Sequence, residues 1–348
     1  MNPRLDRGIV AALAAALLFG AGTPFAKLLL AHTDPWLLAA LLYLGSGTGL
    51  WLVRRVRRAA AVRPSRAEWG WLAGATLAGG VIGPVLLMFG LTSMPATGAS
   101  LLLNAEGVFT ALLAWFVFKE NFDRRIALGM LAIVAGAVVL SWPGEAALRA
   151  GLGALAVLGA CLAWAIDNNL TRKVSLTDAS FIAMFKGLAA GSTNLLLAWK
   201  LGSAWPAAST LAAAAALGFL SYGASLVLFV VALRHLGTAR TGAYFSVAPF
   251  FGALLGVLML HEPVTVALLV AGALMAVGVW LHLTEQHGHL HVHEATEHTH
   301  EHAHDVHHQH AHPVGTPPGE RHTHAHAHTP MTHSHAHFPD AHHRHPHG

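Results

Sequence analysis

Long apolar stretches separated by short polar or basic segments recur along the first 283 residues of the chain. Each stretch has about 17–25 residues, the length at which a helix crosses the hydrocarbon core of a bilayer. The pattern predicts ten transmembrane helices, near residues 8–30, 35–53, 69–90, 95–118, 126–142, 151–171, 179–199, 210–233, 237–260 and 264–283. Most of the ten tryptophans lie near a predicted helix end, as in an interfacial aromatic belt.

The composition supports this interpretation for all but the end of the chain. Hydrophobic residues make up 54% of the sequence and charged residues 11%, against about 25% charged in a soluble domain. Of the 27 histidines, 24 follow residue 281, in a segment with few large apolar side chains that cannot bury a core. We therefore predict an all-α membrane protein with a disordered His-rich tail over residues 284–348.

Basic residues are distributed asymmetrically between the loops. With a cytoplasmic N-terminus, the inside segments carry fifteen Lys or Arg and the outside loops carry two, Arg149 and Lys200. This positive-inside bias places both termini in the cytoplasm of a bacterial-type inner membrane. The net charge of +4 combines a basic membrane part with an acidic tail, so it does not indicate a nucleic-acid partner.

An internal repeat appears when residues 91–140 are aligned with residues 233–282. Phe109 then matches Phe251, Glu120 matches Glu262, and the glycines of the following span also match. Five spans in each copy make the two copies inverted relative to the membrane, an arrangement of transporters whose substrate site lies near the midplane. We therefore predict two five-helix repeats, over residues 1–142 and 143–283.

Several short motifs occur at matching places in the two repeats. They are Phe19-Gly20 with Lys27, Trp164-Ala165 with Arg172-Lys173, Thr97-Gly98-Ala99-Ser100, Thr241-Gly242-Ala243, Lys119-Glu120-Asn121 and His261-Glu262-Pro263. With these motifs the chain resembles the EamA-type ten-span permeases of the drug/metabolite transporter superfamily. The resemblance implies a membrane carrier for small organic molecules, usually an exporter. Span 4 departs from the family pattern, because it carries Glu106 where an apolar residue is common.

Glu106 is the first candidate for chemistry, since it lies about eleven residues from either end of span 4. An ionisable side chain at this depth costs at least roughly 2.5–3.5 kcal/mol unless it is paired, protonated or hydrated. We expect it to contact substrate or to couple transport to protons. The alternative is a neutral structural side chain that is hydrogen-bonded to Thr110, one turn further on.

Other polar side chains lie inside the predicted spans. Asp167 and Lys186 face each other at similar depth in neighbouring antiparallel spans, which predicts an ion pair. Asn168 lies beside them, and such asparagines either line a cavity or join helices. The further candidates for substrate or coupling contacts are Asn104, Asn194 and Lys27. Lys27 could also extend its ammonium to the interface, or neutralise a substrate carboxylate as its family position implies.

The tail alternates histidine with other residues. Alternating imidazoles on one side of an extended chain can chelate Ni²⁺, Co²⁺, Cu²⁺ or Zn²⁺. The candidate ligands are His287, His289, His291, His293, His298, His300, His302, His304, His322, His324, His326, His328, His333, His335 and His337. The alternative is a low-complexity tract with no role in transport. The single cysteine, Cys161, excludes a Cys-based metal site.

These observations predict a secondary exporter of small organic metabolites that works by alternating access and requires no cofactor. One rival is a divalent transition-metal exporter, although the spans offer few nitrogen or sulfur ligands. Another is a membrane-anchored metal or pH sensor. No catalytic motif supports an enzyme. The expected partners are the lipid bilayer and a small-molecule substrate, and a homodimer remains open.

Overall fold

The computed structural model describes residues 7–62, 64–117, 124–141, 147–174, 178–229, 231–232, 244–283, 287–293, 296–302, 322–328 and 331–337. In the membrane part most of these residues are helical, and turns or irregular segments connect the helices. The α-helices are α1 Arg7–Leu29, α2 Pro35–Val56, α3 Arg66–Ala75, α4 Gly83–Ser93, α5 Ala96–Leu102, α6 Ala105–Phe116, α7 Arg124–Ser141, α8 Ala147–Thr171, α9 Ala179–Lys200, α10 Ala208–Gly218, α11 Ala248–Leu260 and α12 Val266–Leu283. A 3₁₀ turn over Arg172–Val174 follows α8.

Within the described ranges, six helical stretches are each long and apolar enough to cross a membrane by themselves. They are Gly8–Leu29, Pro35–Val56, Arg66–Ser93, Gly151–Thr171, Ala179–Lys200 and Ala208–Phe229. Shorter helices lie within the other four predicted stretches. The chain is therefore a multi-pass membrane protein, whereas the count of ten spans stays a prediction.

Local sequence explains where several helices begin. The side chain of Asp34 accepts a hydrogen bond from the amide of Leu37 at 3.1 Å, and Pro35 supplies the first residue of α2. Ser65 and Glu68 form a reciprocal capping box at the start of α3. Asp178 caps α9 through the amide of Phe181. These caps satisfy amides that have no partner inside the helix.

Two π-helical segments interrupt the helices at matching positions in the two repeats. Thr76–Ile82, here called π1, joins α3 to α4, and Phe219–Ala224, called π2, follows α10. Their first residues are 143 positions apart, close to the offset of the sequence repeat. A π turn shifts the helical hydrogen-bond pattern and occurs often at functional sites.

Spans 4 and 9 are both discontinuous. In span 4, turn residues Leu103 and Asn104 separate α5 from α6. In span 9, Ser246 and Val247 form a turn directly before α11. Broken helices at membrane depth are typical of transporters, where half-helix ends meet a binding site.

The membrane part forms one compact unit, Met1–Glu285, in which the two repeats interlock. Helix α1 packs against α11, α2 against α9, α4 against α8 and α7 against α12, so that each pair joins both repeats. The α1–α11 crossing is very close, because a Cβ at Gly252 would lie 2.7 Å from the carbonyl oxygen of Gly20. The repeats are therefore halves of one unit.

The tail, Gln286–Gly348, is a second unit. Its described residues form four strands, β1 His287–His293, β2 Thr296–His302, β3 His322–His328 and β4 Met331–His337. Strand β1 pairs antiparallel with β4, and β2 with β3. Strict alternation of residue types has the two-residue period of a strand. Disorder of the tail stays a prediction.

Candidate functional site

Glu106 and Asn168 form a direct hydrogen bond between spans 4 and 6. Glu106 lies in the first turn of α6, directly after the break in span 4. Asn168 on α8 donates from Nδ2 to Oε1 of Glu106 at 2.7 Å, and the same nitrogen lies 3.5 Å from Oγ1 of Thr110. Asn168, rather than Thr110 as the alternative interpretation proposed, is thus the hydrogen-bond partner of the Glu106 carboxyl.

The exposed side chain of Asn168 lies on the inner side of α8. Four large exposed apolar residues mark the lipid-facing side of this helix: Leu152, Leu155, Leu162 and Ile166. At about 100° per residue, Asn168 lies on the other side of α8, yet it is exposed. An exposed amide that points away from the lipid side indicates an opening inside the helix bundle, and Glu106 borders it.

The expected contact between Asp167 and Lys186 is present. Nζ of Lys186 lies 2.6 Å from Oδ1 and 2.5 Å from Oδ2 of Asp167. Oγ1 of Thr171 donates to Oδ1 at 2.8 Å. The side chains of Asp167 and Lys186 are only 8% and 17% exposed, so the two charges neutralise each other within the bundle.

Segment π1 packs directly against this ion pair. The carbonyl oxygen of Gly79 accepts hydrogen bonds from Oη of Tyr43 at 2.7 Å and from Nε1 of Trp164 at 2.8 Å. A Cβ at Gly79 would overlap the Asp167 carboxylate, so this close approach requires glycine. Asn194 donates to the neighbouring carbonyl of Gly80 at 3.2 Å. Side chains from α2, α8 and α9 therefore satisfy the carbonyls of π1.

Three of the predicted site residues lie outside the cluster around Glu106. Asn194 is fully buried against π1. Asn104 is buried, and its Nδ2 donates to the carbonyl of Leu101 at 3.0 Å, so it caps the end of α5. Nζ of Lys27 donates to the carbonyls of Leu91 and Met94 at the end of α4. These contacts account for Asn104 and Lys27 without a substrate, whereas Oδ1 of Asn194 is buried without a hydrogen-bond partner among the described residues.

Glu262, from the loop between α11 and α12, caps the N-terminus of α5 in the other repeat. Its two carboxylate oxygens accept hydrogen bonds from the amides of Ala96 at 2.7 Å and Thr97 at 2.8 Å. This agrees with an architectural role for Glu262. The matching glutamate, Glu120, lies outside the described residues.

A cluster of aromatic rings lines the region between spans 1, 2, 8 and 9. The ring of Phe19 lies 5.9 Å from that of Tyr222 and 5.3 Å from that of Phe245, and Tyr222 lies 5.5 Å from Tyr43. Phe19, Tyr222 and Phe245 are partly exposed. Tyr43 and Trp164 both donate to the Gly79 carbonyl. Since Trp164 lies one turn before Asn168 on α8, these contacts connect the cluster to that helix.

The fifteen candidate histidines of the tail lie outside the residues whose side chains the structure describes. Metal binding by the tail stays a prediction.

Sequence reasoning missed the roles of Tyr43 and Trp164. Tyr43 appears in the sequence as an ordinary aromatic residue of an apolar span, and Trp164 appears only as part of a repeat motif. A π turn leaves no periodic signal of its own. The adjacent glycines Gly79 and Gly80 are the one sequence feature that marks this place.

Comparison with known proteins gives a family and a fold. The sequence profile of the EamA-like transporter family matches residues 6–142 and 151–284. An uncharacterized transporter of Methanothermobacter thermautotrophicus is 28% identical over 292 residues, which cover 79% of this chain and 85% of that protein. A probable amino-acid metabolite efflux pump of Salmonella typhimurium is 36% identical over 85 residues, 23% of this chain and 27% of that protein.

One solved crystal structure is similar in fold. Its TM-score with this chain is 0.60, with 21% sequence identity over 79% of this chain and 94% of the other. At this identity the similarity supports the architecture and says nothing of the substrate.

Proposed function

The chain belongs to the EamA-like transporter family, and from this premise we propose that it is a secondary active transporter that exports small organic metabolites by alternating access. The family is one of membrane transporters. A shorter match to a protein named as an amino-acid metabolite efflux pump supports the direction of transport and the metabolite class. The cytoplasmic position of both termini follows from the positive-inside bias and belongs to the same proposal.

The Glu106–Asn168 contact is the observation that carries this proposal. It joins a broken span of the first repeat to a helix of the second, at a depth where a polar pair is costly unless it serves function. An exposed amide inside the bundle gives a solute direct access to the pair. A site between two inverted repeats can be exposed to each side of the membrane in turn.

The broken and π-helical segments offer places where the repeats can move. The turns in spans 4 and 9 and segments π1 and π2 occur at matching positions in both repeats. Their backbone is less regular than a continuous α-helix, so a half-helix can tilt there without unfolding a whole span. In the proposed mechanism, Glu106 changes its partner during this motion, either with substrate or with a proton.

The test is transport by purified full-length protein in proteoliposomes under an imposed pH gradient, with a panel of amino acids, amines, organic acids, purine-type compounds and Ni²⁺ and Zn²⁺ salts. We expect gradient-driven movement of at least one compound and its loss in Glu106→Gln. Glu68→Gln is the matched control, because Gln can also complete the capping box of α3. Full gradient-driven activity of Glu106→Gln would contradict the role of this carboxyl, and movement of Ni²⁺ or Zn²⁺ alone would favour the metal exporter.

For the tail we propose an accessory role in which its histidines bind transition metals and modulate the carrier. Alternating histidines are the supporting feature. Transport itself would require no metal cofactor.

A further inference from the structure

We propose that the Glu106 site selects substrates that carry a protonated amine attached to an apolar or aromatic body. This inference deepens the proposed function and rests on it, since it names the substrate class of the same site. It follows from the balance of charges in the bundle, from the free oxygen of Glu106 and from the neighbouring aromatic rings.

The cationic side chains near the site are paired with groups other than the Glu106 carboxyl. Lys186 is already engaged by both oxygens of Asp167, and the ammonium of Lys27 is bound by two carbonyls at the end of α4. Among the described residues, no Lys or Arg lies within salt-bridge distance of Glu106. An ionised carboxylate at this depth is costly without a partner, so a cation that enters the opening would be favoured.

The geometry of the carboxyl leaves room for that cation. Oε1 accepts the hydrogen bond from Asn168, whereas Oε2 has no hydrogen-bond partner within the described part of the chain. An ionised carboxylate only accepts, so Asn168 must turn its NH₂ group towards Glu106 and its own oxygen away. Oε2 of Glu106 and Oδ1 of Asn168 are thus two acceptors beside the opening, and an ammonium supplies three donors.

An ammonium fits this arrangement better than a divalent metal. Hard divalent cations take about six or more oxygen ligands, whereas the second carboxylate of the cluster, Asp167, is held by Lys186 and Thr171. One free carboxylate oxygen and one amide oxygen accept from two of the three donors of an ammonium group, and the bond to the carboxylate is charge-assisted.

The aromatic cluster defines the rest of the substrate. Phe19, Tyr222 and Phe245 are partly exposed, and they connect through Tyr43 and Trp164 to the helix that carries Asn168. Ligand sites combine such apolar walls with a few polar groups that fix orientation, and ring faces also attract cations. An amine held at Glu106 with an apolar or aromatic body directed towards Tyr43 would approach these rings.

The test is ligand-induced thermal stabilisation of the full-length protein in lipid nanodiscs, which measures binding without transport. The probes are phenethylamine, phenethyl alcohol and 3-phenylpropionate, which share a ring and differ in charge. We expect the amine to stabilise the wild-type protein at concentrations where the alcohol and the acid do not. In Glu106→Gln the amine should bind at least about tenfold more weakly, the loss expected when a charge-assisted hydrogen bond is removed. Glu68→Gln should bind it as the wild type does.

Equal stabilisation of the wild-type protein by amine and alcohol would overturn the inference, and so would unchanged amine binding in Glu106→Gln. If Glu106→Gln does not fold, the comparison of the three probes on the wild-type protein still tests the preference for an amine. Asn168→Ala should also weaken amine binding. Transport of neutral or acidic metabolites without amine binding would leave the proposed function standing and refute the substrate class. Amine binding without any transport would support the class of ligand and refute the transporter.

Discussion

Lys186 places its ammonium 2.5 Å from Oδ2 of Asp167, and this contact ties α9 to α8 across the connection between the two helices. Both side chains are largely shielded from solvent, and π1 packs against the carboxylate from the other side. The pair is therefore neutral, and each of the two buried charges is stabilised by the other.

The first prediction follows from this dependence. Asp167→Asn or Lys186→Met alone should each lower stability by roughly 3–5 kcal/mol, because each leaves a buried charge without its counter-ion. The double variant should recover part of that loss. Melting temperature and folded yield in detergent are measured for the wild type, the two single variants and the double variant, which together form a double-mutant cycle. Losses that simply add would show that the two charges do not depend on each other.

A second prediction concerns the cap that Glu262 forms across the repeats. Glu262→Ala removes two charge-assisted hydrogen bonds from the amides of Ala96 and Thr97, and should cost about 2 kcal/mol. Glu262→Gln keeps one good acceptor and should cost less. Thermal unfolding of the two variants shows whether Glu262→Ala is less stable than Glu262→Gln. Equal melting of Glu262→Ala and the wild type would mean that the cap contributes nothing to stability.

The third prediction is a pH dependence at the end of the bundle that holds Arg54. Burial tends to raise the pKa of Asp178, but hydrogen bonds from Ser180, from the amide of Phe181 and from Arg54, with the Arg54 charge, lower it below its ordinary value. A lowered folded pKa means that this stabilisation is fully present above about pH 4, the pKa of an unfolded Asp, and is lost as pH falls through the folded value.

Melting of the wild type and of Asp178→Asn between pH 6 and pH 3 checks this. The wild type should melt at a higher temperature than Asp178→Asn near pH 6, and this difference should disappear only towards pH 3. The difference should stay below about 1 kcal/mol, because the Asp178 side chain is 44% exposed and solvent screens the pair. A difference that is constant over the whole range would contradict the assigned titration.

The fourth prediction separates the tail from the carrier. Truncation after residue 283 should leave transport of an organic substrate intact and should remove the binding of Ni²⁺ and Zn²⁺. Metal binding by the intact protein should weaken below about pH 6.5, because protons compete for imidazole. Calorimetry with the metal salts and transport by both forms measure the two effects. Loss of organic-substrate transport on truncation, with unchanged insertion, would show that the tail is part of the transport machinery.

Much of the architecture could be predicted because bilayer thickness fixes how long an apolar helix must be. The predicted positions of the spans and the internal repeat follow from lengths and spacings, whereas the family follows from the resemblance of short motifs. The contact between Asp167 and Lys186 was also predictable, since a short connection between antiparallel helices brings residues of equal depth together.

Glu106 stood out in the sequence because an ionisable group in the middle of an apolar span is costly wherever it points. Its partner could not be read from the sequence, since Asn168 lies 62 residues away in another repeat. The same limit applies to Tyr43 and Trp164, whose meeting at one carbonyl of π1 depends on how three helices cross. Apolar periodicity determines which segments enter the membrane, whereas only the packing of those segments decides which polar groups meet inside it.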